Sequence, residues 1–177
     1  MAHISSLQAG IFSYLDLYTG SSLTKDEATE SEFKALFATA NASDVTRMPS
    51  VREFPSIGTP ANIVNVPVYG QNISSQVQGQ ADAPSLEVTV NYVPEDMDVE
   101  IHGLIGTPAA VRFLMCTAAT SVADSLVVTN ANENTEFYFQ GRIEAILVNP
   151  QLTDATTATV TLSTQSDFYG PFTRAAS

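Results

Sequence analysis

From Ser85 to Tyr92 the chain alternates without a break: Leu86, Val88, Val90 and Tyr92 fall on one side, Glu87, Thr89 and Asn91 on the other. Successive side chains of a strand point to opposite faces, so this period of two specifies a strand with one apolar and one polar face. Three further segments share the habit. Ile73 to Gln80 presents Ser74, Gln76, Gln78 and Gln80. The long run Glu136 to Val148 presents Gln140, Arg142 and Glu144 opposite Phe137, Phe139, Ile143, Ala145 and Leu147. Ala155 to Ser163 presents Thr157, Thr159, Thr161 and Ser163 opposite Ala158, Val160 and Leu162. Four such strands predict an antiparallel sheet packed on one face and wet on the other.

The remaining segments arrange themselves around that sheet. Gly10 to Leu17 reads as a strand. Thr24-Lys25-Asp26-Glu27 has the form of a capping box, and Phe33, Leu36 and Phe37 recur at helical spacing, predicting a helix that fades near Ala40. Met48 to Ala61 is rich in turn formers (Pro49, Pro55, Gly58, Pro60) and leaves room for a short strand over Val51 to Phe54. Ile63 to Tyr69 and Ile73 to Gln80 flank the turn Gly70-Gln71-Asn72 as a hairpin, with Pro67 placing the first strand at an edge. Pro94-Glu95-Asp96 opens a second helix whose stripe is Met97, Ile101, Leu104 and Ile105, stopped by Gly106-Thr107-Pro108. Strands follow at Ala110 to Thr117 and near Leu126 to Thr129, with a turn over 130–134 before the long run. The last strand ends ahead of Tyr169-Gly170-Pro171. No repeat and no long linker is visible. The expected organisation is one domain over 1–177, with an N-terminal arm, helix and loop over 1–60 and a β core over 61–177.

Charge narrows the function. Seven Lys and Arg stand against 19 Asp and Glu, a net charge of −12, and only 15% of the 177 residues are charged. Gripping nucleic acid takes a basic footprint that neutralises phosphates, and this chain has none. Repelling a polyanion remains open. The polar faces, rich in hydroxyls and amides and poor in Lys and Arg, fit two readings: an ordinary solvated sheet, or a surface past which a polyanion slides without sticking.

Nothing in the sequence assembles chemistry. The lone cysteine, Cys116, excludes a disulfide framework and reads as a small buried hydrophobe in the run Val111 to Cys116. His3 and His102 have no partner at zinc-ligand spacing. Glu95, Asp96, Asp98 and Glu100 lack the alternation and glycine of a calcium loop and suit a helix start. No nucleophile elbow, phosphate loop or dinucleotide fingerprint occurs. The expectation is no enzyme, no cofactor and no metal. No stretch approaches the about 20 apolar residues of a membrane helix, and no secretory signal precedes Gly10, so neither membrane insertion nor export is expected.

From Ser85 onward the order of segments resembles the major tail tube protein of long, non-contractile-tailed, lambda-like bacteriophages. Leu86-Glu87-Val88-Thr89-Val90 leads into Pro94-Glu95-Asp96 and the helix with Ile101 and Leu104. Val111-Arg112-Phe113 follows. Phe139-Gln140-Gly141-Arg142-Ile143 is similar to the family's aromatic-x-Gly strand, and Ala158 to Ser163 to its closing strand. The resemblance covers about half the chain; residues 1–60 depart from the pattern in having a longer N-terminal section with its own helix.

The resemblance implies a mainly β, α+β fold: an antiparallel β-sandwich or partial barrel of the tail tube type, with a flanking helix and an N-terminal helix. It implies hexameric rings, four strands per copy lining a continuous lumen, and rings stacked into a conduit for DNA ejection. Gln76, Gln78, Glu87, Thr89, Asn91, Gln140, Glu144, Thr159 and Thr161 are then the candidate lumen, with Glu87 and Glu144 supplying negative charge. Arg142 runs against that pattern and is expected to pair with Glu144 or a neighbouring copy. Pro49, Pro55, Gly58, Pro60, Gly70, Gln71 and Asn72 are the candidate ring-stacking positions. The implied partners are further copies of the chain, tape measure, tail tip and tail terminator proteins, and DNA in passage. The implied location is the virion tail, assembled in the host bacterial cytoplasm. The inner tube of a contractile or type VI-like injection system is the alternative within the class. A soluble β-sandwich binding module is the alternative outside it, and the absence of Trp counts against the aromatic platforms it would need.

Overall fold

The computed structural model describes residues 4, 12–24, 29–58, 69–70, 85–126 and 134–173, and the backbone alone of 63–66 and 75–78. Ten strands are described: β1 Ser13–Tyr18, β2 Val45–Arg47, β3 Val51–Glu53, β4 Ile63–Val66, β5 Ser75–Gln78, β6 Ser85–Asn91, β7 Pro108–Cys116, β8 Asn134–Asn149, β9 Thr157–Thr164 and β10 Tyr169–Phe172. Three short helices accompany them: α1 Glu30–Leu36, α2 Pro94–Glu100 and α3 Val122–Leu126. The main sheet runs β2-β1-β7-β8-β9-β6-β3, with β10 also on β8, and every pairing in it is antiparallel. It curls into a half-barrel, the mainly β tail tube architecture expected from the sequence. β4 and β5 form a separate two-stranded ribbon.

β8 organises the sheet because it changes partner along its length. Asn134 to Arg142 pairs with β7, while Gly141 to Asn149 pairs with β9 on the opposite flank. The first half is covered on both faces. On one, Leu15, Leu17, Val88, Met97, Ile101, Val111, Phe139, Ile143, Val160 and Leu162 form a core under α2. On the other, Phe33 and Phe37 of the α1 region close over Tyr18, Ala110 and Tyr138. The Phe33 ring stacks on Tyr138 at 5.1 Å. The second half of β8, with β9, β6 and β3, is covered on the α2 side only.

Two elements begin elsewhere than the sequence suggests. Thr29, in extended backbone, caps α1 and Glu32 closes the box, so the helix starts at Glu30 and the Thr24 box does not open it. Both quartets fit the same pattern, and the buried Phe33, Leu36 and Phe37 sit at the right phase for either. Leu126, expected in a strand, ends α3; residues 127–129 lie outside those described. β2 and β10 are strands the periodicity did not reveal, being three and four residues long.

The doubly covered half also hides charge. Asp16, Arg112 and Glu136 are fully buried. Asp16 stands opposite Arg112 on β7 and Arg47 on β2. Arg112 donates to Asp16 through Nη2 at 2.5 Å and Nε at 3.1 Å, to Glu136 at 3.3 Å, and to Ser125 Oγ at 2.8 Å. Arg47 donates to Asp16 at 2.7 Å and to the Thr120 carbonyl at 2.6 Å. Tyr138 donates its hydroxyl to Glu136. Two guanidiniums against two carboxylates make the cluster formally neutral. Burial by itself raises the Asp16 pKa, but Arg112 and Arg47 outweigh it and hold the carboxyl below its ordinary value.

Candidate functional site

The wet face is centred on two strands in strict register, β6 and β9, with β3 and β8 at its sides. Glu87 lies opposite Thr161, Thr89 opposite Thr159 and Asn91 opposite Thr157 across β6 and β9. Their neighbours Leu86, Val88, Val90, Ala158, Val160 and Leu162 are buried. The alternation read from the sequence therefore places Glu87, Thr89, Asn91, Thr159 and Thr161 together on one face. Asn149 of β8 donates to Thr159 Oγ1 at 3.3 Å. Glu53 of β3 pairs with Thr89 at the other side.

β8 departs from simple alternation. Ile143 pairs with Leu162, but the next pair is Ala145 with Thr161, so Glu144 is an extra residue in a bulge. Beyond it the faces exchange. Ala145 and Leu147, expected inside, stand beside Thr161 and Thr159 on the wet face, and Leu147 is 59% exposed. Ile146 and Val148 pair with the buried Val160 and Ala158 instead. Glu144 keeps its exposed place: its Oε1 accepts from Arg142 Nε at 2.6 Å and from Ser163 Oγ at 2.7 Å. These hydrogen bonds, the Ser163 one foremost, lower its pKa. Gly141 is fixed by close approach, since a Cβ there would lie 2.4 Å from the Ser163 carbonyl oxygen.

Three of the candidate lumen residues are placed elsewhere. Gln140 is buried because α1 and the chain before it cover that half of β8; its amide donates to the Thr24 carbonyl at 3.0 Å. Gln76 and Gln78 lie on β5, which pairs with β4 and not with the wet sheet. β3 is the strand that pairs with β6 on its outer side. Of the stacking positions, Pro49 is half-buried at the corner between β2 and β3, while Pro55 is half-buried and Gly58 exposed in the chain leaving β3. Gly70, exposed with φ +83°, sits at the ribbon's turn beside a fully exposed Tyr69. Pro60, Gln71 and Asn72 lie outside the described residues. Asn41 is committed to the fold, its amide donating to the carbonyls of Ala35 and Leu36 at 3.1 and 3.0 Å.

Both lateral edges of the wet sheet are open among the described residues. β3 ends the strand order with no partner on its outer side. On the side of β8 away from β9, β7 reaches only to Arg142, and beyond a single bridge from Ile105 to Ile143 no described strand flanks residues 144–149 there. A further feature surrounds the ribbon: from Phe54 to Ala81 the sequence carries no charged residue, in a chain of net charge −12. Among the described residues no group of His, Cys, Asp and Glu is arranged to hold a metal, and no helix is long and apolar enough to cross a membrane.

No protein-family model and no curated protein sequence matches the chain. Solved structures do. The SPP1 tail tube, determined by solid-state NMR and cryo EM, superposes with a TM-score of 0.52 at 14% identity, over 92% of this chain and 78% of that one. A crystal structure of Hcp protein superposes at a TM-score of 0.43 and 13% identity, over 86% of this chain and 88% of that one. With its curled antiparallel sheet, helix-covered core and separate ribbon, the chain has the fold of a phage tail tube protein.

Proposed function

We propose that this chain is a structural protein that self-assembles into the tube of a non-contractile, lambda-like phage tail. Copies join side by side through the open edges of β3 and β8, so that the wet faces line a lumen, and the hexameric rings so formed stack into a conduit for DNA ejection. The observation that carries this reading is the four-stranded section β8-β9-β6-β3, apolar inside, polar outside and unpaired at both edges. An exposed strand edge is a template for another chain, and closing such edges into a barrel removes the liability. The wet face suits passage of a polyanion, since it is mostly hydroxyls and amides and its cations have acidic neighbours: Glu144 engages Arg142, and Arg52 of β3 lies 4.0 Å from Asp154.

The uncharged stretch around the ribbon supports contact between copies. Chains of like net charge repel, and a charge-free arm is the part that two of them can bring together. The ribbon's turn at Gly70 is thus the stacking element, and the tape measure, tail tip and terminator proteins of such tails are the further partners of a tube in the virion. The test is negative-stain electron microscopy with analytical ultracentrifugation across a concentration series. Rings or hollow rods with a pore wide enough for duplex DNA are expected. Monomers at every concentration, with a preformed tail-tip complex added as initiator, would refute the proposal.

A further inference from the structure

Glu144 looks at first like one of two carboxylates that give the wet face its negative charge. Its surroundings assign it other work. Arg142 and Ser163 face each other as a cross-strand pair, one step ahead of the Ile143–Leu162 pair that borders the bulge. One oxygen of Glu144, the residue that has no partner across the ladder, folds back to accept from both. On the other side of the pair, Gly141 lets the β9 backbone approach to a distance no side chain would allow. The bulge is therefore held by two hydrogen bonds converging on Glu144 and flanked by close backbone contact at Gly141. Register matters here more than elsewhere, because a one-residue slip of a strand exchanges its two faces. Were Glu144 paired with Thr161 in an unbroken ladder, Ile146 and Val148 would stand on the wet face and Ala145 and Leu147 on the core.

We propose that Glu144 is a positioning residue: it holds the bulge, and so decides which face and which register the open edge of β8 offers to a second copy, rather than acting as a charge that repels DNA. The bulge stands on its own geometry; the consequence for assembly rests on the proposed function. Glu87 and Glu53, which make no ion pair among the described residues, are then the carboxylates that carry the repulsion.

The full chain is compared as wild type, Glu144→Ala, Glu144→Gln and Ser163→Ala. Nuclear Overhauser contacts between the Ala145 and Thr161 backbones report the register, and sedimentation gives the critical concentration for assembly. Glu144→Ala loses those contacts and raises the critical concentration about tenfold or more. Glu144→Gln, whose amide oxygen still accepts from Arg142 and Ser163, restores both. Ser163→Ala removes a single donor, moves both in the same direction by less, and carries the test if Glu144→Ala does not fold. Retention of the Ala145–Thr161 contacts in Glu144→Ala overturns the bulge role. Their loss with an unchanged critical concentration overturns the assembly role. If wild type itself never assembles, the tube reading fails and the assembly role with it, while the contacts still decide the bulge.

Discussion

Replacing Asp16 by Asn tests the buried charge cluster most sharply. Asp16 is fully buried and accepts from four guanidinium nitrogens, Arg47 Nε at 2.7 Å and Nη2 at 3.2 Å, Arg112 Nε at 3.1 Å and Nη2 at 2.5 Å. Asparagine keeps the shape and one oxygen but removes the charge and sets an NH2 group against donors. Arg112 then keeps Glu136, and Arg47 loses its carboxylate partner. Removing one partner of a buried ion pair costs about 3–5 kcal/mol, because the remaining charge stays desolvated. Against a total stability of about 5–15 kcal/mol, that is a large fraction. With a urea slope of about 2 kcal/mol/M, the midpoint should fall by about 2 M.

The same account fixes the pH dependence. Because Arg112 and Arg47 hold the folded-state pKa of Asp16 below its ordinary value, its contribution is fully present above the unfolded pKa and is lost as pH falls through the folded value. The gap between wild type and Asp16→Asn in urea should therefore be constant from pH 7 to about 5 and close below the unfolded pKa of about 3.9. Asp16→Asn combined with Arg112→Met should cost less than the sum of the single changes, since either change alone already breaks the Asp16–Arg112 pair and the sum counts that loss twice. A single variant within about 0.5 kcal/mol of wild type, the range of an ordinary surface change, would refute the reasoning.

Two further substitutions probe local geometry. Gly141→Ala forces a Cβ against the Ser163 carbonyl, 2.4 Å away; a loss of about 1–3 kcal/mol is expected, read as a fall of several degrees in the melting temperature. Burial pushes the Cys116 thiol up to about 11, so its alkylation by iodoacetamide should be slow at pH 8 and accelerate steadily to pH 10, and a rate at pH 8 equal to that of a model thiol would contradict this placement.

How much of this was legible in the sequence depended on whether a strand kept one wet face. β6 and β9 do, and Leu86 to Asn91 and Thr157 to Ser163 point where their alternation says. The bulge could not be read, because Ile143, Ala145, Ile146, Leu147 and Val148 are all apolar and an inserted residue leaves no mark in such a run. Gln140 failed for a different reason: the α1 region covers that half of β8, and local pattern cannot show what a distant helix will bury. The charge cluster was equally hidden. Arg112 sits in an apolar run, and its partner Asp16 is 96 residues away. The first helix start was ambiguous because Thr24-Glu27 and Thr29-Glu32 satisfy the same capping rule and the buried Phe33, Leu36 and Phe37 suit either start.

The central claim is that β8, β9, β6 and β3 of successive copies close into one barrel with their polar face inward. A cryo-EM reconstruction of assembled rods tests it most directly. The account predicts a continuous β wall, with β3 of one copy beside residues 144–149 of the next and Glu87, Thr89, Thr159 and Thr161 lining the pore. Rods in which those four residues face outward, or in which the two edges stay unpaired, would contradict it.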